Sequence, residues 1–319
     1  MVPPSPAVDV PPQPWTGRFD GDGPEHRRWW QAVTPYAPRR VKPARPVARP
    51  AVILGFRSDA GVRRNKGRTG AAAAPAAIRA ALAPLAFHLG RDVHDAGDVT
   101  VAGDALEAGQ ARAGLAITSL LDAGQLPVVL GGGHETAFAS YLGVAGSAAV
   151  REGLRVGVLN LDAHFDLRDE AVPSSGTPFL QMARAEAAAG RELRYAVVGI
   201  SEPNNTRALF RTAEELGVDY LLDEDCSAGA AHAFVAAFLA QVDALYLTID
   251  LDVLPASVAP GVSAPAAYGV PLPVISAVCR QVAASGKLLH LDVAELNPEF
   301  DLDHRTAKVA ARLINTLLG

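Results

Sequence analysis

Cysteine is nearly absent from this chain of 319 residues: Cys226 and Cys279 are the only two, and no Cys-x-x-Cys pair occurs. That argues against a disulfide framework and a thiolate zinc site, and it fits a reducing, cytoplasmic setting. Aromatic residues are only 6%, so the interior must be built largely from Ala, Val and Leu. There is no excess of cations; the net charge of -5 disfavours nucleic acid as a partner. The apolar runs are short and interrupted, so no membrane span is expected. The N-terminus opens on prolines without a charged segment followed by an apolar one, so no secretory signal is expected. Gly-Lys-Ser/Thr and Gly-x-Gly-x-x-Gly are both missing, so the glycines at 131–133 are not read as a phosphate cradle.

What the chain does have is alternation. Residues 1–50 are rich in Pro and Arg and contain Trp15, Trp29 and Trp30, the only tryptophans. They read as a surface-hugging extension with little regular structure, anchored by Trp29-Trp30, with Ala37–Pro50 as an extended connector. From residue 51 strand-like runs recur at 51–56, 126–131, 155–161, 194–200, 218–222, 244–251 and 287–293. Helix-like stretches lie between them, at 76–87, 104–124, 178–190, 205–217, 227–242, 271–285 and 305–318. Continuous apolar strands alternating with helices predict a parallel sheet covered on both faces. No composition break interrupts 51–319, which is read as one α/β domain.

Three of the strand runs end in candidate metal ligands. Leu126–Leu130 leads to Gly131-Gly132-Gly133-His134, Val156–Leu161 to Asp162-Ala163-His164-Phe165-Asp166, and Leu245–Ile249 to Asp250-Leu251-Asp252. In open parallel sheets ligands bind beyond the carboxyl ends of the strands, so the three ends can share one crevice. Residues two apart on an extended strand face one side, which lets Asp162, His164 and Asp166 address one centre. Taken alone, that trio also fits a solvated strand-to-loop transition. Asp250 and Asp252 repel unless a cation lies between them, although Asp250 as a turn cap beside an exposed Asp252 is the bland alternative. His134 after three glycines is weak by itself. Together, four carboxylates and two imidazoles suffice for two ions of the manganese, zinc, iron or cobalt kind. Two ions about 3.5–4 Å apart activate a shared water for hydrolysis. Glu295, ending the run before Asn297-Pro298, is a carboxylate that could pair with a planar amidinium or guanidinium. Read alone it is better explained as an exposed acid before a turn.

With these residues in hand, the chain resembles the ureohydrolase superfamily of arginase, agmatinase and formimidoylglutamase. The three metal signatures are matched by Gly131–Glu135, Asp162–Asp166 and Asp250–Gly269, and the likeness covers roughly residues 50–319. The resemblance implies a three-layer α/β/α fold with a mainly parallel eight-stranded sheet and two manganese ions per subunit. By motif position it implies His134 and Asp166 on the first ion, His164 and Asp252 on the second, and Asp162 and Asp250 bridging both. It also implies a homo-oligomer, trimeric or hexameric.

Within the superfamily the chain is similar to the formimidoylglutamase family. The stretches that carry this are Gly55–Arg68, His134-Glu135-Thr136, Ser174–Phe179, Asp292–Pro298 and Asp303–Ala307, with Trp15–Arg18 and Arg28–Gln31 family-like as well. Arginase has a His-Gly pair after its second metal motif; here the stretch is Ser175-Gly176-Thr177-Pro178. Glu135 stands where arginase and agmatinase usually have Ser or Thr, and His304 where Gly is expected in a turn. The implied reaction converts N-formimidoyl-L-glutamate and water to L-glutamate and formamide in histidine degradation. Glu295 is then expected to orient the cationic amidine, and Asp166 to relay a proton to the departing amine.

The two substrate carboxylates call for donors, and Arg is the natural partner. Arg63, Arg64, Lys66 and Arg68 follow the first strand, and Asn204, Asn205 and Arg207 follow the strand ending at Ile200. Asn65, Arg68, Asn205 and Thr177 are the candidates for substrate binding, against the bland alternative that most such residues form a solvated face. Rival readings are a ureohydrolase acting on arginine, agmatine or a guanidino acid, a non-catalytic protein of the same fold, and a histone-deacetylase-like zinc amidohydrolase. The basic loop disfavours agmatine, the complete ligand set disfavours the second, and the absence of a His-His pair disfavours the third.

Overall fold

A computed structural model describes residues 6–38 and 48–319. Among the described residues nine strands form one sheet. They are β1 Thr34–Pro35, β2 Ala51–Arg57, β3 Val93–Thr100, β4 Leu126–Leu130, β5 Val156–Leu161, β6 Arg194–Ile200, β7 Asp219–Leu222, β8 Ala244–Asp250 and β9 Leu288–Ala294. The order across the sheet is β1-β3-β2-β4-β9-β8-β5-β6-β7, and every pairing is parallel.

The α-helices of the described residues are α1 Trp29–Ala32, α2 Ala60–Arg64, α3 Ala74–Leu82, α4 Leu106–Asp122, α5 Thr136–Ala145, α6 Ala148–Arg151, α7 Pro178–Ala188, α8 Arg207–Glu215, α9 Ala228–Ala240, α10 Leu272–Ala284 and α11 Arg305–Leu318. Strand side chains alternate between two helical layers, as a pleat requires. From β2, Ala51 and Ile53 enter the core shared with α3, α9, α10 and α11, while Val52, Leu54 and Phe56 meet α4. Residues of α5, α7 and β6 build the core under the other half of that second face. Helix α11 shows the pattern behind such packing: Ala307, Ala310, Ala311, Ile314 and Leu318 are buried at helical spacing, while Arg305, Lys308 and Arg312 face out.

The sheet has one strand more than the expected eight. The additional strand, β1, comes from the N-terminal segment and pairs Thr34 with His94 on β3. That segment is also more ordered than composition suggests. Trp29 is fully buried, stacks on Trp15 at 6.4 Å and donates from Nε1 to Asn315 Oδ1 at 2.9 Å. Of the expected connector at 37–50, residues 39–47 lie outside the described residues.

Strand β3 and helix α5 are the two longest elements that the sequence pattern does not predict. Strand β3 carries Asp95 and Asp98, which look unlike a buried strand, yet both are buried and Arg79 of α3 bonds them at 2.8 and 2.6 Å. Helix α5 is apolar nearly all round and has no charged face to mark its period. At the turn before α11, Asp303 and His304 have φ of 56° and 53°. His304 thus occupies the left-handed conformation that glycine adopts most easily.

The central strands β4, β9, β8 and β5 are neighbours, so their carboxyl ends lie side by side. Sequence places the chemistry-bearing residues at those four ends.

Candidate metal centre

The turn after β4 is built for close approach. A Cβ on Gly132 would lie 1.7 Å from the Ser58 carbonyl oxygen, so only glycine fits there. Gly133 N–H donates to that same carbonyl at 3.0 Å. The result delivers His134, buried to 1% exposure, over the end of the sheet.

Three carboxylates surround one nitrogen of this histidine. His134 Nδ1 lies 2.8 Å from Asp166 Oδ2, 3.1 Å from Asp162 Oδ2 and 3.2 Å from Asp250 Oδ2. A second group forms beside it, with His164 Nδ1 3.1 Å from Asp252 Oδ2 and 3.5 Å from Asp162 Oδ1. Ligand atoms within each group all fall within 4.8 Å of one another. Asp162 belongs to both, with one oxygen toward each histidine. Asp250 joins the first group, and its other oxygen accepts the Asp252 N–H at 2.8 Å.

The tautomer of His134 follows from its other nitrogen. Nε2 is 3.1 Å from Thr248 Oγ1, and that hydroxyl donates to Asp292 Oδ1 at 2.6 Å. The Thr248 hydrogen is therefore committed, so Nε2 carries the proton and donates. The neutral ring would then present its Nδ1 lone pair to three carboxylates, an arrangement that calls for a proton or a metal cation between them.

Charge in the cluster leads to the same conclusion. Burial, then the Asp252 and Asp162 carboxylates, push Asp250 well above the ordinary range. Burial and Asp162 likewise raise Asp166. Burial opposes ionisation of Asp162, but His134 and His164 on its two oxygens hold it below the usual range. Burial also opposes protonation of both histidines, and the flanking aspartates override it and raise them. Oxygen and imidazole donors with surplus negative charge fit one or two divalent ions of the manganese or zinc type.

Glu295 closes the floor. Its N–H donates to the Gly132 carbonyl at 2.8 Å, its Oε1 accepts the His134 N–H at 2.7 Å, and Ser263 Oγ donates to Oε2. Burial, reinforced by Glu135 and Asp252 against the hydrogen bond from Ser263, pushes its carboxyl up to about 8. A planar cation brought to it would favour the ionised form. Glu295 and Asp166 have φ of 70° and 50°, a strained conformation for these residues, costing about 1–2 kcal/mol each.

A cavity of about 210 Å³ opens above these groups. Of the sequence candidates, Asn65 and Asn205 line it; Arg68 and Thr177 do not. Arg68 is turned away, donating to the Val262 and Ser263 carbonyls and resting 4.2 Å from the Phe300 ring centre. Thr177 caps its own loop through the Ser174 carbonyl and Gln181. The Asn205 amide is occupied by backbone groups of Ala163, Phe165 and Ser201, so it braces the second metal motif. Arg63 and Arg64 pair with Asp104 and Glu107.

Thr248, Asn160, Ser263 and Arg168 were missed. Thr248 and Asn160 had a signal: each sits two residues before a ligand, on the same side of its strand, as a polar interruption of an apolar run. Asn160 donates to Asp162 Oδ2 at 2.8 Å. Ser263 and Arg168 lie in loops, where sequence spacing carries no direction.

The arginase family's sequence profile matches residues 49–319. The chain is 60% identical over 304 residues to the formimidoylglutamase of Nocardia farcinica, covering 95% of each. It is 52% identical to the formimidoylglutamase of Ralstonia nicotianae, covering 96% of this chain and 95% of that one. Among solved structures, the formimidoylglutamase of Bacillus subtilis aligns with a TM-score of 0.79 at 20% identity, over 90% of each chain. The formiminoglutamase of Trypanosoma cruzi, solved with Mn2+, aligns at 0.75 and 26% identity, over 84% of this chain and 92% of that one.

Proposed function

The chain belongs to the arginase family and is a hydrolase of linear amidines, and from that premise we propose that it converts N-formimidoyl-L-glutamate and water to L-glutamate and formamide. We place this step in histidine degradation in the cytoplasm, with two manganese ions held by His134, Asp162, His164, Asp166, Asp250 and Asp252. The relatives' shared activity supports the substrate, and the donor set supports the ions. Two free, buried cysteines fit a reducing compartment.

One observation carries the reading: Glu295 Oε1 is hydrogen-bonded to the backbone of His134. The carboxylate that would receive the amidine is thereby fixed to the strand end that holds the metal-type ligands. Bound ions supply Lewis acidity and make water a nucleophile near neutral pH. The chain's own residues do the rest. Glu295 pairs with the amidinium and aims its carbon at the paired histidine–aspartate groups. Asp166 Oδ2 is engaged with His134, which leaves Oδ1 to take a proton and pass it to the departing nitrogen of glutamate.

The deciding experiment is a substrate panel on manganese-loaded protein: formamide release from N-formimidoyl-L-glutamate beside urea release from arginine and agmatine. Formamide release should dominate by orders of magnitude; preference for either guanidine compound overturns the substrate. Asp162→Ala should lose both ions by elemental analysis. Retention of two ions with full activity would overturn the ligand assignment.

A further inference from the structure

We infer that Arg168 is the residue that selects an acidic side chain, binding the substrate carboxylate more distant from the amidine. The inference rests on the proposed reaction for the identity of that substrate. Its physical basis is that, among the described residues, Arg168 is the one lysine or arginine lining the cavity over the metal-type ligands.

Of the basic residues of the 63–68 loop, Lys66 is exposed and does not line the cavity, and the three arginines are otherwise engaged. Arg63 bonds Asp104 at 2.6 Å, Arg64 bonds Glu107 at 2.7 Å and the Pro173 carbonyl at 2.9 Å, and Arg68 bonds the 262–263 backbone. Among the described residues Arg168 has only Glu170 as an ion partner, at 3.9 Å and with both side chains well exposed. Its guanidinium is available for a better-placed carboxylate.

The loop missing the arginase-type histidine makes the seat. Arg168 N–H donates to the Gly176 carbonyl at 3.0 Å. A Cβ on Gly176 would lie 2.9 Å from Arg168 Cδ and 3.1 Å from Nε, so glycine lets the arginine lie flat across the loop. Beside it, Asn65 Nδ2 donates to Ser175 Oγ at 3.1 Å, and both residues line the cavity. Half of the Arg168 side chain is exposed, whereas Glu295, Asp162, Asp250 and Asp252 are buried. The cavity is therefore acidic at its floor and cationic at its mouth. A substrate with an amidinium at one end and a carboxylate at the other matches both, and a planar guanidinium receives a carboxylate through two parallel hydrogen bonds. Agmatine, cationic at both ends, meets a like charge at the mouth.

Two measurements test this separately from the reaction. The first needs no turnover: calorimetric binding of L-glutamate and of L-glutamine, which differ only in the distant carboxylate, to the manganese-loaded protein. The native chain should prefer glutamate about ten- to a hundredfold, the range for a charge-assisted pair. Arg168→Met should reduce that preference to within about twofold, with metal content and melting temperature unchanged. The second is kinetic: Arg168→Met should raise KM for N-formimidoyl-L-glutamate by a similar factor and leave kcat within about threefold. Absence of a glutamate preference in the native chain overturns the assignment, as does its survival in Arg168→Met. Formamide release by the native chain decides the reaction itself, so a failure of either claim is recognised without the other.

Discussion

The ring Nε2 of His134 donates to Thr248 Oγ1 at 3.1 Å, and the same hydroxyl donates to Asp292 Oδ1 at 2.6 Å. Asp292 also receives the Tyr246 hydroxyl on its other oxygen. This chain orients the imidazole from beneath and leaves Nδ1 free for the carboxylate side. Thr248→Val removes the acceptor and keeps the shape. Metal affinity should fall about ten- to a hundredfold, read by competition with a chelator. Thr248→Ser should keep native affinity. Equal affinity in native and valine forms would show that the hydroxyl does not set the ring.

The metal-type ligands were legible because each marks the end of an apolar strand, and a parallel sheet gathers such ends without further information. What held them was half legible. Asn160 and Thr248 are polar interruptions two residues upstream of Asp162 and Asp250, a pattern that strand periodicity makes meaningful. Arg68 shows the limit: its place in a basic loop suggested substrate, but its guanidinium is held by the Val262 and Ser263 carbonyls and does not line the cavity. Loop side-chain direction depends on distant partners, so Arg168 carried no sequence signal. The fold shows the same division. Strands β2, β4, β5, β6, β8 and β9 announced themselves by composition, whereas β3 did not, because its buried charges are neutralised by Arg79, which lies earlier in the chain on a neighbouring helix.

Glu295 accepts one hydrogen bond from the His134 backbone and one from Ser263, and Glu295→Gln retains an oxygen acceptor of nearly the same shape. The variant should fold and keep the metal content of the native protein. Loss of the charge that meets the amidinium should lower kcat/KM about ten- to a hundredfold or more. Unchanged kcat/KM at full metal occupancy would remove Glu295 from substrate orientation.

Arg79 ties three parts of the molecule together. Its guanidinium contacts Asp95 through two nitrogens, at 2.8 and 2.9 Å, and Asp98 through a third, while Asp95 also accepts from Trp15 Nε1 at 2.8 Å. Both aspartates are buried on β3. Arg79→Met would leave two buried carboxylates without their cation, which costs about 3–5 kcal/mol in such settings. Urea unfolding should show that loss. A change below about 1 kcal/mol, the worth of an exposed pair, would mean that the network is solvated.

His290 lies in the middle of β9, fully buried, with its ring 5.0 Å from that of Tyr246. Among the described residues neither ring nitrogen makes a well-formed hydrogen bond, and the Pro127 backbone is the nearby polar group. Burial pushes its pKa down to about 3, opposed by the nearby Pro127 backbone. The unfolded chain protonates this histidine near its ordinary value of 6.5, and the folded chain does not. Between those values the unfolded state binds more protons, so stability is complete above 6.5 and declines as pH falls toward 3. From about pH 7.5 to 5.5 the loss due to this group is about 1.4 kcal/mol. Chelated native protein and His290→Leu, unfolded in urea at both pH values, should differ by that amount in their pH dependence. Acid-sensitive groups at the metal site act alike in both proteins and cancel. Parallel pH curves would place the proton elsewhere.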